Sequence, residues 1–252
     1  MNSDRVFFQN LYNRFRDEGN LGDVFGEMVA WNVPRFILGE LWPEKLQSMD
    51  SSLRLAFTAA EAGWKGRIDN IKSRLLEEEG ALIYDFDKSY VMECDVMVSL
   101  GRLGDEFSLV WLPKSSSQTW TEREETEIRL PKSNGTYLHH YFVKGKERVE
   151  KENTMPLSRR AYARVGLQIP RREITGLAIL SGALMEKYSV LGKGEKSALV
   201  NLLSIREKDS LTREDAGTAS EFLDSFYAIA QKEKIDLHPF WFKFQEMKKF
   251  MV

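Results

Sequence analysis

The chain has 252 residues, of which 42% are apolar and 29% are charged, and its formal net charge is −2 at pH 7. These values are typical of a folded domain, so they exclude a disordered chain and argue against nucleic-acid binding by bulk charge. The single cysteine, Cys94, excludes an intramolecular disulfide bond and a zinc cluster built from cysteines.

Two features of the sequence bear on where the protein resides. The N-terminal residues lack an apolar run of signal-peptide length, and no stretch approaches about 18 uninterrupted apolar residues. The single cysteine fits a reducing compartment. We therefore expect a cytoplasmic protein without a membrane span.

Residues 1–79 carry a helical pattern. Asp4 can cap a first helix, and apolar residues then recur at intervals of three or four positions as far as Leu76. Gly80 follows as a helix stop. The pattern predicts an N-terminal helical region over residues 1–79.

Residues 80–156 change to short β-prone runs separated by turn residues. Asn134-Gly135 is the strongest hairpin signal in the chain, and Gly101 and Gly104 bracket another turn. These runs predict a central antiparallel sheet of about five strands, which ends in a basic linker.

Residues 157–252 return to helical spacing. Thr212, three residues before Asp215, resembles a capping box and predicts a helix start. We therefore predict an α+β fold with an N-terminal helical part, a central antiparallel sheet and a C-terminal helical bundle. The predicted boundaries lie at residues 79/80 and 156/157.

The main charge anomaly is the segment of residues 144–172, here called the basic joint. It contains nine Lys or Arg residues and three Glu residues, although the whole chain is slightly acidic. Arginine forks match phosphate oxygens, and a tyrosine ring can stack on an exposed base. The candidate anion-binding residues are Lys144, Lys146, Arg159, Arg160, Tyr162, Arg164, Arg171 and Arg172. The alternative is that these cations pair internally with the acidic runs 77–79 and 122–127.

Four acidic residues form the only candidate catalytic constellation. Asp85, Asp87, Glu93 and Asp95 alternate along two β-prone runs, so each pair shares one side of its strand. If the two runs form a hairpin, the carboxylates could hold Mg²⁺ or Mn²⁺ for phosphoryl chemistry. The simpler interpretation is a solvated strand face.

The sequence contains no recognisable cofactor motif. Residues 192–197 superficially resemble a phosphate-binding loop, but Glu195 stands where that loop requires glycine. Dinucleotide, zinc-protease, EF-hand and nucleophile-elbow patterns are also missing from the sequence. We therefore expect no cofactor.

These patterns lead to three hypotheses. The first is a non-catalytic binding protein that contacts RNA, DNA or another polyanion through the basic joint. The second is a structural or regulatory protein that binds a protein partner or self-associates through its C-terminal aromatic residues Phe240, Trp241, Phe244 and Phe250. The third is a metal-dependent phosphodiesterase or nuclease centred on the four acids.

Overall fold

A computed structural model describes residues 4–18, 33–61, 68–114, 120–124, 130–132, 134–166, 168–187, 193–205 and 212–234. Its helices are α1 (Asp4–Glu18), α2 (Val33–Leu41), α3 (Pro43–Ser48), α4 (Arg159–Gly166), α5 (Gln168–Lys187), α6 (Lys193–Ile205) and α7 (Arg213–Lys232). Its strands are β1 (Leu55–Thr58), β2 (Arg74–Glu78), β3 (Ala81–Met92), β4 (Val96–Leu103), β5 (Glu106–Pro113), β6 (Thr121–Glu124), β7 (Leu130–Pro131), β8 (Tyr137–Leu138), β9 (His140–Val149) and β10 (Thr154–Leu157). Short 3₁₀ turns cover Ile68–Asn70 and Lys151–Asn153.

The chain divides into two compact units. The first, the sheet unit, contains the described residues of 33–124 and 137–166, and the second, the helical unit, contains those of 4–18, 130–136 and 168–234. The mixed α+β class, with a central sheet and C-terminal helices, is confirmed. The three-part division predicted from the sequence stays a prediction.

Eight strands of the sheet unit form one sheet, where the sequence indicated about five. The strand order is β10-β5-β4-β2-β3-β9-β6, and β1 adds to β4 beside this path. Most neighbours are antiparallel, but β1 and β2 both run parallel to β4. The sheet is therefore larger than predicted and is not purely antiparallel.

The helix predicted from the spacing of residues 68–79 is wrong. Arg74–Glu78 is strand β2, which pairs antiparallel with β3. Glu79 and Gly80 connect the two strands with φ values of 50° and 79°, which is the left-handed conformation that tight hairpin turns require. Gly80 therefore forms a hairpin turn instead of ending a helix. Hydrogen bonds to β3 stabilise the extended conformation of residues 74–78, although their apolar spacing favours a helix. Residues 55–58, also included in the helical pattern, form strand β1.

The apolar core of the sheet unit lies against one face of β4 and β5. Val96, Val98 and Leu100 of β4 pack there because alternate residues of a strand point to the same side. Helix α2 contributes Leu38 and β10 contributes Leu157. Each fully buried side chain of this size stabilises the fold by about 1.5–3 kcal/mol.

The helical unit is organised around α5. Its central residues are buried on nearly every side, including Ile179, Leu180 and Ser181. The predicted capping box of α7 is confirmed, because the Thr212 and Asp215 side chains exchange hydrogen bonds with each other's backbone N–H groups. A side-chain hydrogen bond from the Tyr12 hydroxyl to Glu186 links α1 to α5. Within the described part of the chain, no helix has the length and apolar character needed to span a membrane.

Candidate functional site

Among the described residues of the sheet unit, the most unusual backbone is a bulge in β3. The register between β3 and β9 shifts between Lys88 and Val91. Tyr90, within this bulge, has a φ of 58°, a conformation that costs an aromatic residue about 1–3 kcal/mol. The half-buried Tyr90 ring lies 6.1 Å from the ring of Phe142, centre to centre. Bulges and strained residues of this kind are enriched beside active sites.

The bulge is anchored to the end of β1. The Ser89 N–H donates to the carbonyl of Ala60 at 3.0 Å, and the Thr58 hydroxyl donates to the carbonyl of Ser89 at 3.2 Å. These bonds fix both backbone groups of Ser89 next to the strained residue. Tertiary contacts therefore hold the bulge in place, although local preference opposes it.

A buried carboxylate follows β1. Glu61 is 6% exposed, and one of its oxygens accepts hydrogen bonds from the Ser73 N–H at 3.1 Å and the Ser73 hydroxyl at 2.6 Å. Its other oxygen accepts from the Lys72 N–H at 2.6 Å. The Lys88 Nζ lies 2.6 Å from the first oxygen. Glu61 thus joins β1 to β2 and β3.

Lys88 is the cationic partner in this ion pair and has no exposed surface. Its Nζ also donates to the Leu100 carbonyl at 2.8 Å. Burial lowers the pKa of Lys88 to about 8, even though the charge of Glu61 acts in the opposite direction. Burial alone would raise the pKa of Glu61, but the Lys88 charge and the hydrogen bonds outweigh it, so the carboxyl pKa lies below its usual value.

Tyr84 extends the network across the sheet. Its hydroxyl lies 2.8 Å from the Ser99 hydroxyl and donates to the Leu100 carbonyl at 2.7 Å. Burial raises the pKa of Tyr84, so the phenol stays protonated. The Ser99 hydroxyl donates to the carbonyl of Thr58 at 3.3 Å, which returns the network to β1. We call this set, with Glu61 and Lys88, the buried network.

A cleft of about 480 Å³ opens next to the buried network, and Glu61 belongs to both. The cleft is lined by Glu61, Lys72, Ser73, Arg74, Asp85, Phe86, Asp87 and Lys144. Its volume lies in the range of small-molecule sites. Because side chains of both charge signs line the cleft, it suits a ligand that carries charged groups.

Two residues of the predicted anion-binding surface lie on β9, near this cleft. Lys144 Nζ is 3.5 Å from an Asp87 oxygen, and Lys146 Nζ is 3.3 Å from an Asp85 oxygen. The structure therefore pairs two of the predicted cations with two of the predicted metal ligands. Of these lysines, only Lys144 lines the cleft.

The other two candidate metal ligands lie elsewhere. Glu93 and Asp95 both bind the guanidinium of Arg54, at 2.7 and 2.9 Å. The side-chain hydrogen bond from Arg54 holds the pKa of Asp95 below its usual value. β2 lies between β3 and β4, so the expected hairpin of the two acidic runs does not form. Within the described residues, no three acidic, His or Cys side chains are placed to hold a metal ion.

The arginines of α4 take internal partners that the sequence pattern did not indicate. Arg159 bonds Asp69 at 2.6 Å, and Arg164 lies 3.7 Å from Glu40. Arg160 is exposed. Tyr162 packs against the apolar core, and burial raises its pKa to about 12, so its ring is not presented for stacking on a base.

The basic joint is divided between the two units, because α4 belongs to the sheet unit and α5 to the helical unit. Arg171 and Arg172 are half-buried in the first turn of α5. Anion binding by the eight candidate residues stays a prediction. The aromatic residues Phe240, Trp241, Phe244 and Phe250 lie outside the described residues, so self-association through them stays a prediction.

Sequence reasoning missed Glu61, Lys88 and Tyr90. The sequence did contain a signal for Lys88. Tyr84, Phe86 and Lys88 are spaced two residues apart, so they share one face of a strand, and the first two are large aromatic residues. A lysine in that series is expected to be buried and therefore to need a carboxylate. The left-handed Tyr90 has no comparable sequence signal.

No protein-family model and no curated protein matches this sequence. Solved structures do match its fold. Butyryl-CoA dehydrogenase from Megasphaera elsdenii aligns over 96% of this chain and 76% of its own, with 10% identity and a TM-score of 0.67. Glutaryl-CoA dehydrogenase from Mycobacterium smegmatis, in complex with FADH2, aligns over 99% and 74%, with 11% identity and a TM-score of 0.64. The FAD complex of PigA aligns over 99% and 77%, with 10% identity and a TM-score of 0.65.

At these identities, the comparisons establish the fold alone: the chain has the fold of acyl-CoA dehydrogenases. The prediction of a non-catalytic nucleic-acid-binding protein is wrong, because the solved structures that share the fold include acyl-CoA dehydrogenases, one of them in complex with FADH2, and the FAD complex of PigA. The hypotheses of a structural or regulatory protein and of a metal-dependent nuclease are corrected by the same finding, whereas a protein partner or self-association through the C-terminal aromatic residues stays a prediction. The basic joint misled the functional prediction, because many of its cations form ion pairs with carboxylates of the sheet unit.

Proposed function

We propose that this chain is a flavin-dependent oxidoreductase that acts on an acyl thioester. One observation carries the proposal: the likeness to acyl-CoA dehydrogenases extends over 96–99% of the chain, and thus over both of its units. A likeness restricted to the sheet would leave the function more open, because common sheets serve many activities.

The bulge of β3 fits one wall of a flavin site. A flavin ring system is flat and partly apolar, and it takes hydrogen bonds at its edge. Tyr90 and Phe142 provide a partly exposed aromatic surface, and the anchored backbone of Ser89 keeps it in place. The strain at Tyr90 is consistent with a position that serves a ligand.

In this proposal, residues of this chain hold the flavin in position. When bound, the flavin supplies a two-electron acceptor for oxidation of the substrate. The ion pair of Glu61 and Lys88 connects the residues after β1 to the strand that carries the bulge, which supports the aromatic surface. The cleft beside Glu61 accommodates charged groups of a ligand. The cytoplasmic location expected from the sequence belongs to this proposal as well.

Titration with FAD tests the proposal. We expect saturable binding that quenches flavin fluorescence and raises the melting temperature of the protein. Replacing Tyr90 by Ala should weaken FAD binding about fivefold, since an aromatic contact contributes on the order of 1 kcal/mol.

Tyr137 supplies the matched control, because it is an exposed tyrosine outside the bulge. Tyr137→Ala should bind FAD as the wild type does. A wild-type protein that shows no saturable binding of FAD would refute the proposed function.

A further inference from the structure

Three arginines from three different elements lie near one end of the sheet unit's apolar core. Arg74 of β2 and Arg102 of β4 are directly paired in a parallel register. Paired residues on neighbouring strands, about 4.8 Å apart, direct their side chains to the same face of the sheet. The third, Arg159, begins α4.

Two of these guanidinium groups make cation–π contacts with the ring of Phe107. Arg102 Cζ lies 5.1 Å from the ring centre and Arg159 Cζ lies 5.5 Å from it. Phe107 is 1% exposed and is the register partner of Arg102 on β5. Cation–π contacts with a fixed ring therefore restrict where both guanidinium groups lie.

The charge of this cluster is only partly balanced by described residues. Asp69 neutralises Arg159 at 2.6 Å. Arg74 and Arg102 form no ion pair among the described residues, and the buried Nε of Arg102 has no hydrogen-bond partner there. Asp85 is the register partner of Arg74 on β3, but its carboxylate pairs with Lys146 at 3.3 Å.

Directly paired like charges destabilise a sheet, so the juxtaposition of Arg74 and Arg102 calls for an explanation. A buried N–H that lacks an acceptor adds to that cost. An anion with several oxygens removes both costs at once, because guanidinium forks bind such oxygens in pairs. Arg74 also lines the 480 Å³ cleft, which provides room for the rest of a ligand.

We propose that Arg74, Arg102 and Arg159 form a binding site for the phosphate or diphosphate group of a small ligand. Two guanidinium groups on neighbouring strands, with a third that shares the Phe107 ring, match a doubly charged anion better than a single carboxylate. The site stands on its own geometry and does not depend on the proposed flavin chemistry.

Isothermal titration calorimetry with pyrophosphate tests the site on the full chain. We expect saturable binding by the wild type that weakens as salt is raised. Arg102→Gln should weaken binding about tenfold or more, and Arg102→Lys should lie between the two, since a lysine keeps the charge and loses the fork. Circular dichroism of each variant verifies folding. If Arg102→Gln does not fold, the exposed Arg74→Gln is expected to give the same loss.

Arg148 is the matched control, because it is an exposed arginine of the same sheet whose charge faces Glu150 at 3.9 Å. Arg148→Gln should bind pyrophosphate as the wild type does. The site is refuted if pyrophosphate shows no saturable binding, if acetate binds equally well, or if Arg148→Gln loses as much affinity as Arg74→Gln.

A second titration, on protein saturated with FAD, identifies the source of the phosphate. Loss of pyrophosphate binding assigns the site to the diphosphate of the cofactor, and unchanged binding assigns it to a separate ligand. Both results support the site. A protein that binds pyrophosphate and does not bind FAD would retain this site and refute the proposed function alone.

Discussion

Strand β3 carries two kinds of ion pair on its two faces, and they differ mainly in burial. Lys88 Nζ and Glu61 are 2.6 Å apart, with side chains that are 0% and 3% exposed. The pairs of Lys144 with Asp87 and Lys146 with Asp85 span 3.5 and 3.3 Å, with side chains that are 42–73% exposed. The adjacent residues Asp87 and Lys88 therefore belong to very different electrostatic environments.

This difference determines which pair the fold depends on. In the buried pair, loss of one partner leaves an uncompensated charge that water cannot reach. In the exposed pairs, water and salt replace the lost partner, so each is worth little. A dense charge pattern in the sequence, such as the basic joint, therefore says less about what stabilises the fold than one lysine on an apolar strand face.

The largest expected effect comes from removing the buried cation. Lys88→Met should lower the free energy of unfolding by about 3–5 kcal/mol, because Glu61 is left buried without its partner charge. Lys144→Met, on the exposed side of the same strand pair, should change it by less than about 1 kcal/mol. Urea unfolding followed by circular dichroism measures both. Equal losses in the two variants would remove the distinction between the pairs.

The pH dependence of the free energy of unfolding also distinguishes the buried pair from the exposed pairs. Burial lowers the pKa of Lys88 to about 8 in the folded protein, from the ordinary value of 10.5. Between these values the unfolded chain binds more protons, so this group's contribution to the free energy of unfolding rises with pH, by at most about 1.4 kcal/mol per pH unit. Below about pH 8 the contribution is constant.

Lys88→Met lacks this titration, so the stability gap between wild type and variant should widen from about pH 8 to 10.5. Lys144→Met should follow the wild-type curve throughout this range. Urea unfolding at a series of pH values provides the measurement. Parallel curves for the wild type and Lys88→Met would show that Lys88 titrates normally.

A smaller effect is expected from the neutral part of the buried network. Tyr84→Phe removes a hydroxyl that contacts the Ser99 hydroxyl and the Leu100 carbonyl, and it should cost about 1–2 kcal/mol. Tyr137→Phe removes an exposed hydroxyl and should be nearly neutral. Thermal unfolding of the two variants distinguishes them. A neutral Tyr84→Phe would mean that the network adds no stability beyond the ion pair.

Local signals in the sequence predicted the parts of the fold that local interactions decide. The capping box of Thr212 and Asp215 formed as predicted, and so did the turn at Asn134-Gly135, where Gly135 has a φ of 80°. The helix expected over residues 68–79 does not form. The four-residue spacing of Ile71 and Leu75 places both on one face of a helix, but it also places both on one side of an extended chain. Pairing with β3, a tertiary interaction, decided between the two.

The candidate site was harder to predict because it depends on contacts that are distant in sequence. Lys88 pairs with Glu61, which lies 27 residues earlier in the sequence, and Arg159 pairs with Asp69, which is still more distant in sequence. Period-two alternation marks Lys88 as buried, but nothing in the sequence names its partner. The strained φ of Tyr90 arises from anchoring of Ser89 to Ala60, which only the assembled sheet provides.

The proposed activity is flavin-dependent oxidation of an acyl thioester. The most direct measurement mixes the FAD-saturated protein, without oxygen, with acyl-CoA thioesters of short, medium and long chain, and follows the visible absorbance of the bound flavin. We expect at least one thioester to bleach the oxidised flavin band. Flavin that stays bound and oxidised with every thioester, while dithionite reduces it, would contradict the proposed activity.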